Sequence, residues 1–192
     1  NALTGKSIPM VTGHELTATV AEVGDGVEGL EPGRRVAING ILTCGRCRWC
    51  TGGQSQQCPS MAAVGFAMDG GLAEYIVWPA SQVVPLPDHV PSREAALVEP
   101  ASVANHAVRR AGVGVGDRVA VLGVGTVGML AMQIAKAGGA QVYAIDPRQM
   151  SLDLAEELGA DATIRADDPD IDGVVAELTD GVGPDVVIDA AG

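Results

Sequence analysis

Residues 118–128 have the sequence RVAVLGVGTVG, in which a short apolar run is followed directly by the pattern G-x-G-x-x-G. The run Arg118–Leu122 predicts a buried strand, because it is apolar, short and rich in valine. Residues 126–137 predict a helix that ends at a pair of glycines. A strand, this glycine pattern and a helix, in that order, are typical of a turn that binds a dinucleotide.

The three glycines of the pattern have separate roles in such a turn. Gly123 permits the tight turn, Gly125 lets a pyrophosphate approach the backbone, and Gly128 permits close packing of the helix on the strand. The first helical residues, Thr126 and Val127, offer unpaired N–H groups and the positive end of the helix dipole to the phosphates. The alternative is a glycine-rich turn in an α/β protein that binds no nucleotide.

An acidic residue stands where the second strand of this unit is expected to end. A carboxylate at Asp146 would hydrogen-bond the ribose 2′-OH and repel a 2′-phosphate, which favours NAD over NADP. Arg148 lies two positions further on and would soften this preference.

The rest of the second half alternates between strands and helices. Three further strands are predicted at Gln141–Ile145, Ala162–Ile164 and Asp185–Asp189, and two further helices at 148–158 and 171–178. Apolar strands that alternate with helices indicate a parallel sheet covered on both faces. Residues 101–192 are therefore predicted to form a doubly wound α/β domain of about four strands.

Residues 1–100 are predicted to be rich in β-structure. Short strands are expected at Thr17–Val23, Arg35–Ile38 and Glu74–Trp78, and frequent prolines between them discourage long helices. Many short strands joined by Gly- and Pro-containing turns suggest a partly open barrel.

The four cysteines of the chain fall in one segment, TCGRCRWCTGGQSQQCP, with the spacing C-x2-C-x2-C-x7-C. Thiolates this close along the chain suit a tetrahedral zinc ion. We expect a structural zinc lobe at 43–60, because four protein ligands leave no open position; the ligands would be Cys44, Cys47, Cys50 and Cys58. The alternative is two disulfides, which require an oxidising compartment.

Composition limits the class of protein. The net charge of −12 and pI near 4.5 exclude a basic surface for nucleic acid. No apolar run is long enough to span a membrane, so a soluble, cytoplasmic protein is expected. Hydrophobic residues make up 47% of the chain, enough for a core that must consist mainly of aliphatic side chains, since aromatic residues make up 3%.

Six motifs in order along the chain resemble the zinc-dependent medium-chain alcohol dehydrogenase family, and within it the polyol branch of sorbitol- and butanediol-type enzymes. They are GHE at 13–15, the cysteine segment at 44–58, GGLAEY at 70–75, LVEP at 97–100, HAVRR at 106–110 and the glycine pattern at 123–128. The resemblance implies a GroES-like catalytic domain at 1–100 followed by a Rossmann domain at 101–192. It also implies a homodimeric or homotetrameric parent protein.

The resemblance further implies a second, catalytic zinc. His14 takes the place of the family's GHE histidine ligand, and Glu15 is a ligand or a close neighbour of the metal. Glu99 stands where other branches carry a cysteine ligand, and in the polyol branch it binds the metal or its water. Val103 would pack on the nicotinamide and Phe66 would line the substrate pocket, although both residues also suit a plain core role. The implied reaction is transfer of a hydride from an alcohol or polyol, acidified by zinc, to NAD.

The chain also departs from the family pattern. An upstream cysteine ligand and the Ser or Thr of the proton relay would lie before Asn1, and the last strands of the family sheet are absent, so we expect a fragment that is inactive alone. Ala18 replaces a usual Gly, and Arg34 replaces a usual Asp. Two alternatives remain: a related reductase without catalytic zinc, and a non-catalytic, zinc-stabilised nucleotide-binding protein.

Overall fold

The computed structural model describes residues 9–191. The chain divides into two compact units, Asn1–Glu99 and Pro100–Gly192. Within the described range, no helix has both the length and the apolar character needed to cross a membrane. The roles of the two units, catalytic and cofactor-binding, stay predictions.

Short strands dominate the first unit. Its elements are β1 (Thr17–Thr19), β2 (Arg35–Ile38), β3 (Ile41–Leu42), helix α1 (Arg48–Thr51), β4 (Ala62–Ala63), β5 (Val83–Pro85) and helix α2 (Ser92–Ala95), with 3-10 turns at Ser55–Gln57 and Ala80–Gln82. Strands β1, β2 and β5 form an antiparallel sheet in that order, and β3 pairs with β4. A small core forms where Ala37 of β2 packs with Leu86 and Ala95.

The strand predictions in this unit need correction. The strand expected at Thr17–Val23 ends at Thr19. Glu74–Trp78 is not a strand, and within it Val77 is 96% exposed. Its aromatic and β-branched composition suits a strand, but a strand also needs a neighbour to complete a hydrogen-bond ladder. Strand β5 was not predicted from the sequence, and its Pro85 pairs with Val36 of β2. Proline is tolerated there because β5 lies at the edge of its sheet.

The second unit contains a four-stranded parallel sheet. Its elements are helix α3 (Val98–Ala111, which begins in the first unit), β6 (Arg118–Leu122), α4 (Thr126–Ala137), β7 (Gln141–Asp146), α5 (Gln149–Glu157), β8 (Ala162–Arg165), α6 (Ile171–Leu178) and β9 (Val186–Asp189). The strand order is β8-β7-β6-β9, which matches the first four strands of the doubly wound arrangement. The predicted fold class is confirmed for this unit.

Helices cover both faces of this sheet, as its apolar strands require. Val119 and Val121 pack on one face with Met132 of α4, whereas Ala120 and Tyr143 pack on the other face. Helix α6 lies on that second face, and the Tyr143 hydroxyl donates to the Leu178 carbonyl at 3.0 Å. The parallel register brings the carboxyl ends of β6, β7 and β9 to one edge, where ligands of such sheets bind.

Candidate functional site

The four cysteine sulfurs converge on one point. Cys47 precedes α1, Cys50 lies in it, and Cys58 ends the following 3-10 turn. The Cys47 and Cys50 sulfurs are 3.5 Å apart, and those of Cys44 and Cys50 are 3.9 Å apart. A tetrahedron with Zn–S bonds of about 2.3 Å has edges of about 3.8 Å. These distances therefore match a four-thiolate zinc site. None of the four cysteines forms a disulfide.

The surroundings of these thiols shift the pKa values of Cys44 and Cys50 in opposite directions. Hydrogen bonds from the backbone of Arg46 and Cys47 lower the pKa of Cys44 to about 6. Desolvation raises the pKa of Cys50 to about 11 in the metal-free protein. Metal ligation needs thiolates, so binding must remove a proton from Cys50. Gly45 and Gly53 adopt φ values of 70° and 73°, which let the loop fold back on itself.

A second cluster joins residues that are far apart in the sequence. One ligand atom each of His14, Glu15 and Glu99 lies within 4.8 Å of the others. His14 and Glu99 are half-buried, whereas Glu15 is exposed. One imidazole and two carboxylates are a donor set that zinc accepts, and three protein ligands are typical of an open zinc site. The acidic Glu99 stands in the first turn of α3, where the helix dipole favours a negative charge.

Backbone hydrogen bonds fix the position of His14. The segment just before it pairs with the GGL segment: the Gly70 N–H donates to the Val11 carbonyl at 2.8 Å, and the Gly71 N–H donates to the Gly13 carbonyl at 3.0 Å. A Cβ on Gly70 would lie only 2.3 Å from the Gly13 carbonyl oxygen. Glycine is therefore required for this close approach. In the sequence GGLAEY stands out only as a family motif, and its support of the backbone before His14 is visible only in the structure.

Phe66 and Val103 occupy different surroundings. The rings of Phe66 and His14 have centroids 4.6 Å apart and a tilted arrangement. Phe66 therefore limits how the imidazole can rotate, and it is 47% exposed. Val103 lies on α3 in the second unit and is also 47% exposed, so it is not a core residue within that unit.

The glycine turn has the backbone geometry that its pattern predicts. Gly123 has a φ of 78°, in the left-handed region that side chains rarely adopt. A Cβ on Gly128 would lie 2.0 Å from the Gly123 carbonyl oxygen, so helix α4 can approach the turn only with glycine there. Gly125 is different, because the nearest non-adjacent atom to a Cβ built there, among the residues that the structure describes, is Arg148 Nη2 at 4.0 Å. The space beside Gly125 is open, and Thr126 and Val127 follow it at the start of α4.

Asp146 lies under the turn at the end of β7 and is 2% exposed. One of its oxygens accepts the Val124 backbone N–H at 3.0 Å. The other accepts the Arg148 backbone N–H at 2.8 Å. The Arg148 side chain then bonds both oxygens, at 3.0 and 3.1 Å. These hydrogen bonds hold the pKa of Asp146 below its ordinary value, mainly through the Arg148 side chain.

Comparison with known proteins indicates the family to which the chain belongs. The family model "Alcohol dehydrogenase GroES-like domain" matches residues 1–88, and the model "Zinc-binding dehydrogenase" matches residues 126–192. The chain is 36% identical over 187 residues to the sorbitol dehydrogenase of Halalkalibacterium halodurans, with 96% of this chain and 54% of the relative covered. It is 41% identical over 191 residues to a probable D-xylulose reductase A of Neosartorya fischeri, with 96% and 53% covered.

A solved structure of a zinc-binding dehydrogenase is also similar to this chain. A protein of Sinorhizobium meliloti 1021, bound to NADP, is 35% identical with a TM-score of 0.88, and the match covers 97% of this chain and 55% of that one. The chain belongs to the zinc-dependent medium-chain dehydrogenase family. It spans about half the length of the curated relatives it matches.

Proposed function

We propose that this chain is part of a zinc-dependent dehydrogenase that transfers a hydride between a secondary alcohol or polyol and NAD(P). The observation that carries the proposal is the convergence of His14, Glu15 and Glu99. One imidazole and two carboxylates, which the fold brings together from distant parts of the sequence, form a donor set that zinc accepts. Sorbitol dehydrogenase and xylulose reductase among the relatives support a polyol as the substrate class.

His14 and Glu99 would hold the catalytic metal in this proposal. Both side chains are half-buried, so the protein restricts their motion. Glu15 is more exposed and would either complete the ligand set or hydrogen-bond the substrate hydroxyl. When bound, zinc would act as a Lewis acid that makes an alcohol easier to deprotonate. Two carboxylates are harder ligands than two thiolates and would leave the ion more electrophilic.

The glycine turn would hold the cofactor. The open space beside Gly125 lets the pyrophosphate reach the backbone, and the start of α4 offers N–H groups to it. Asp146 would orient the adenosine ribose. The nicotinamide would accept or give the hydride, which is the cofactor's own chemistry. An NADP-bound structural neighbour supports NAD(P) as the cofactor class.

The four-cysteine cluster would hold a second zinc with a structural role. Its four sulfurs fill a tetrahedral shell, which leaves no position for a substrate. The proposal therefore requires two zinc ions with different ligands. A reductase without catalytic zinc would hold only one.

Metal analysis of the purified chain, reconstituted with zinc and desalted, tests the proposal. We expect about two zinc ions per chain. The double variant His14→Ala/Glu99→Gln should retain about one, bound by the cysteines. Glu28→Gln is the matched control, because Glu28 belongs to neither cluster of possible metal ligands among the described residues.

Circular dichroism shows whether each variant is folded, so loss of zinc can be separated from loss of structure. A wild-type chain that binds one zinc, and keeps it in the double variant, would contradict a catalytic metal at His14. Equal zinc loss in the double variant and the Glu28→Gln control would also contradict it.

A further inference from the structure

The Asp146 carboxylate is already saturated with hydrogen bonds. Its two oxygens accept four N–H groups, from Val124, from the Arg148 backbone and from two nitrogens of the Arg148 side chain. A carboxylate offers about four lone-pair positions. A ribose 2′-OH can therefore bond Asp146 only by displacing part of the Arg148 side chain.

Arg148 is placed to face a ligand. Its side chain is 63% exposed, whereas that of Asp146 is 2% exposed, so the guanidinium covers the carboxylate on the solvent side. One guanidinium nitrogen lies beside the open space at Gly125. A guanidinium has five N–H donors in a planar fork, and two of these bind Asp146. About three N–H donors remain to face a bound group.

The pair also changes the charge of the site. A lone carboxylate at the end of β7 would repel a 2′-phosphate. The Arg148 guanidinium neutralises that carboxylate and presents positive charge outward. The adjacent strand carries Arg165, in register with Asp146, but its side chain bonds Asp167 at 2.8 Å and 2.5 Å. Arg148 is thus the guanidinium that directly contacts Asp146.

We propose that Arg148 is a cofactor-selecting residue that lets this turn bind the 2′-phosphate of NADP as well as the ribose of NAD. With NADP, Arg148 stays on Asp146 and uses its remaining N–H donors on the phosphate, an arrangement that arginine forms well. With NAD, the exposed side chain swings away, and the 2′-OH donates to Asp146. The inference rests on the proposed function of the turn and specifies the cofactor class that it accepts.

Calorimetric titration of the purified full chain with NAD and with NADP tests the inference without requiring activity. The 2′-phosphate contribution is isolated by a parallel titration with 5′-ADP and with 2′,5′-ADP. The wild-type chain should bind the two members of each pair with affinities within about tenfold of one another. A lone carboxylate would instead exclude the ligands that carry a 2′-phosphate. Arg148→Ala should weaken binding of the phosphorylated ligands about 10- to 100-fold more than that of the others, the effect of losing a charged hydrogen-bonding group.

Two further variants make the test specific. Arg148→Lys keeps the charge and should recover part of the NADP affinity, which a purely structural role for Arg148 does not predict. Arg165→Ala is the matched control, because it removes a neighbouring guanidinium that bonds Asp167 instead, and it should leave the ratio of NADP to NAD affinity near the wild-type value. Urea unfolding of each variant shows whether the fold survives.

The outcomes separate the two proposals. If neither dinucleotide binds the folded wild-type chain, the proposed function of the turn fails. If NAD binds and NADP does not, or if Arg148→Ala leaves the affinity ratio unchanged, the role of Arg148 alone is overturned.

Discussion

Replacing Gly125 by alanine separates cofactor binding from folding. Gly125 has φ −74° and ψ −162°, a backbone conformation that alanine also adopts. Within residues 9–191, and apart from the adjacent residues of the chain, the added methyl group would have no neighbour closer than Arg148 Nη2 at 4.0 Å. Alanine reduces the entropy of the unfolded chain but is a poorer helix N-cap than glycine, and each effect is below about 1 kcal/mol. The free energy of unfolding should therefore change by less than about 1 kcal/mol.

Cofactor binding should respond much more strongly. The methyl group would occupy the space through which the pyrophosphate reaches the backbone. Loss of one hydrogen bond to a charged group costs about 1.5–3 kcal/mol, so affinity should fall about 10- to 100-fold. Gly128→Ala is the contrasting variant, because its Cβ would lie 2.0 Å from the Gly123 carbonyl oxygen. Overpacking should cost about 3 kcal/mol, and the better helix propensity of alanine should offset about 1 kcal/mol of that cost. The free energy of unfolding of Gly128→Ala should therefore fall by about 2 kcal/mol.

Urea unfolding and calorimetric titration with NAD measure the two effects on the same samples. Gly125→Ala should keep the wild-type unfolding midpoint and lose affinity, whereas Gly128→Ala should lower both. Tight NAD binding by folded Gly125→Ala would refute the assignment of this turn to the pyrophosphate. A strong loss of stability in Gly125→Ala would refute the claim that the space beside it is open.

Three other predictions concern the metal clusters and the buried acid. Cys50→Ser should lower the zinc content by about one ion per chain and lower the melting temperature; unchanged zinc would contradict the four-sulfur site. Phe66→Ala should weaken zinc binding at His14 about tenfold in a competition assay with a chelator, because the imidazole loses the ring that restricts its rotation; unchanged affinity would contradict this role. In the folded state the pKa of Asp146 lies below its ordinary value of 3.8. The ionised carboxylate therefore stabilises the fold above that ordinary pKa. This stabilisation is lost as the pH falls through the lower pKa of the folded state. Arg148→Ala should therefore reduce stability at neutral pH and flatten its decline below about pH 4 in urea titrations; an unaltered pH profile would contradict the linkage.

The second unit was predicted well because its signals are local. The helices at Thr126–Ala137 and Ile171–Leu178 have the bounds that their periodicity and glycines indicate. Its strands are continuous apolar runs, since both faces of a parallel sheet are buried. The first unit was predicted less well. Glu74–Trp78 has the composition of a strand without becoming one, and Val83–Pro85 is a strand despite its proline. Both outcomes depend on which segment lies alongside, and composition does not encode that.

The two candidate metal clusters show the same contrast. Four cysteines within one short segment can reach a common metal whatever the rest of the chain does, so their spacing alone indicated the site. His14 and Glu99 gave no such signal, and only a resemblance to a family suggested that they meet. Their ligand atoms converge because the strands and loops between them fold back, which is a property of the tertiary structure.

The alternation of strands and helices in the second unit, the glycine turn and the grouping of the four cysteines follow from the sequence, because each depends on residues that are neighbours along the chain. Two other features become visible in the folded chain alone: Arg148 covers a buried Asp146, and Gly70 supports the backbone before His14. Hydrogen bonds of this kind form between groups whose distance is set by packing, and packing involves the whole unit at once.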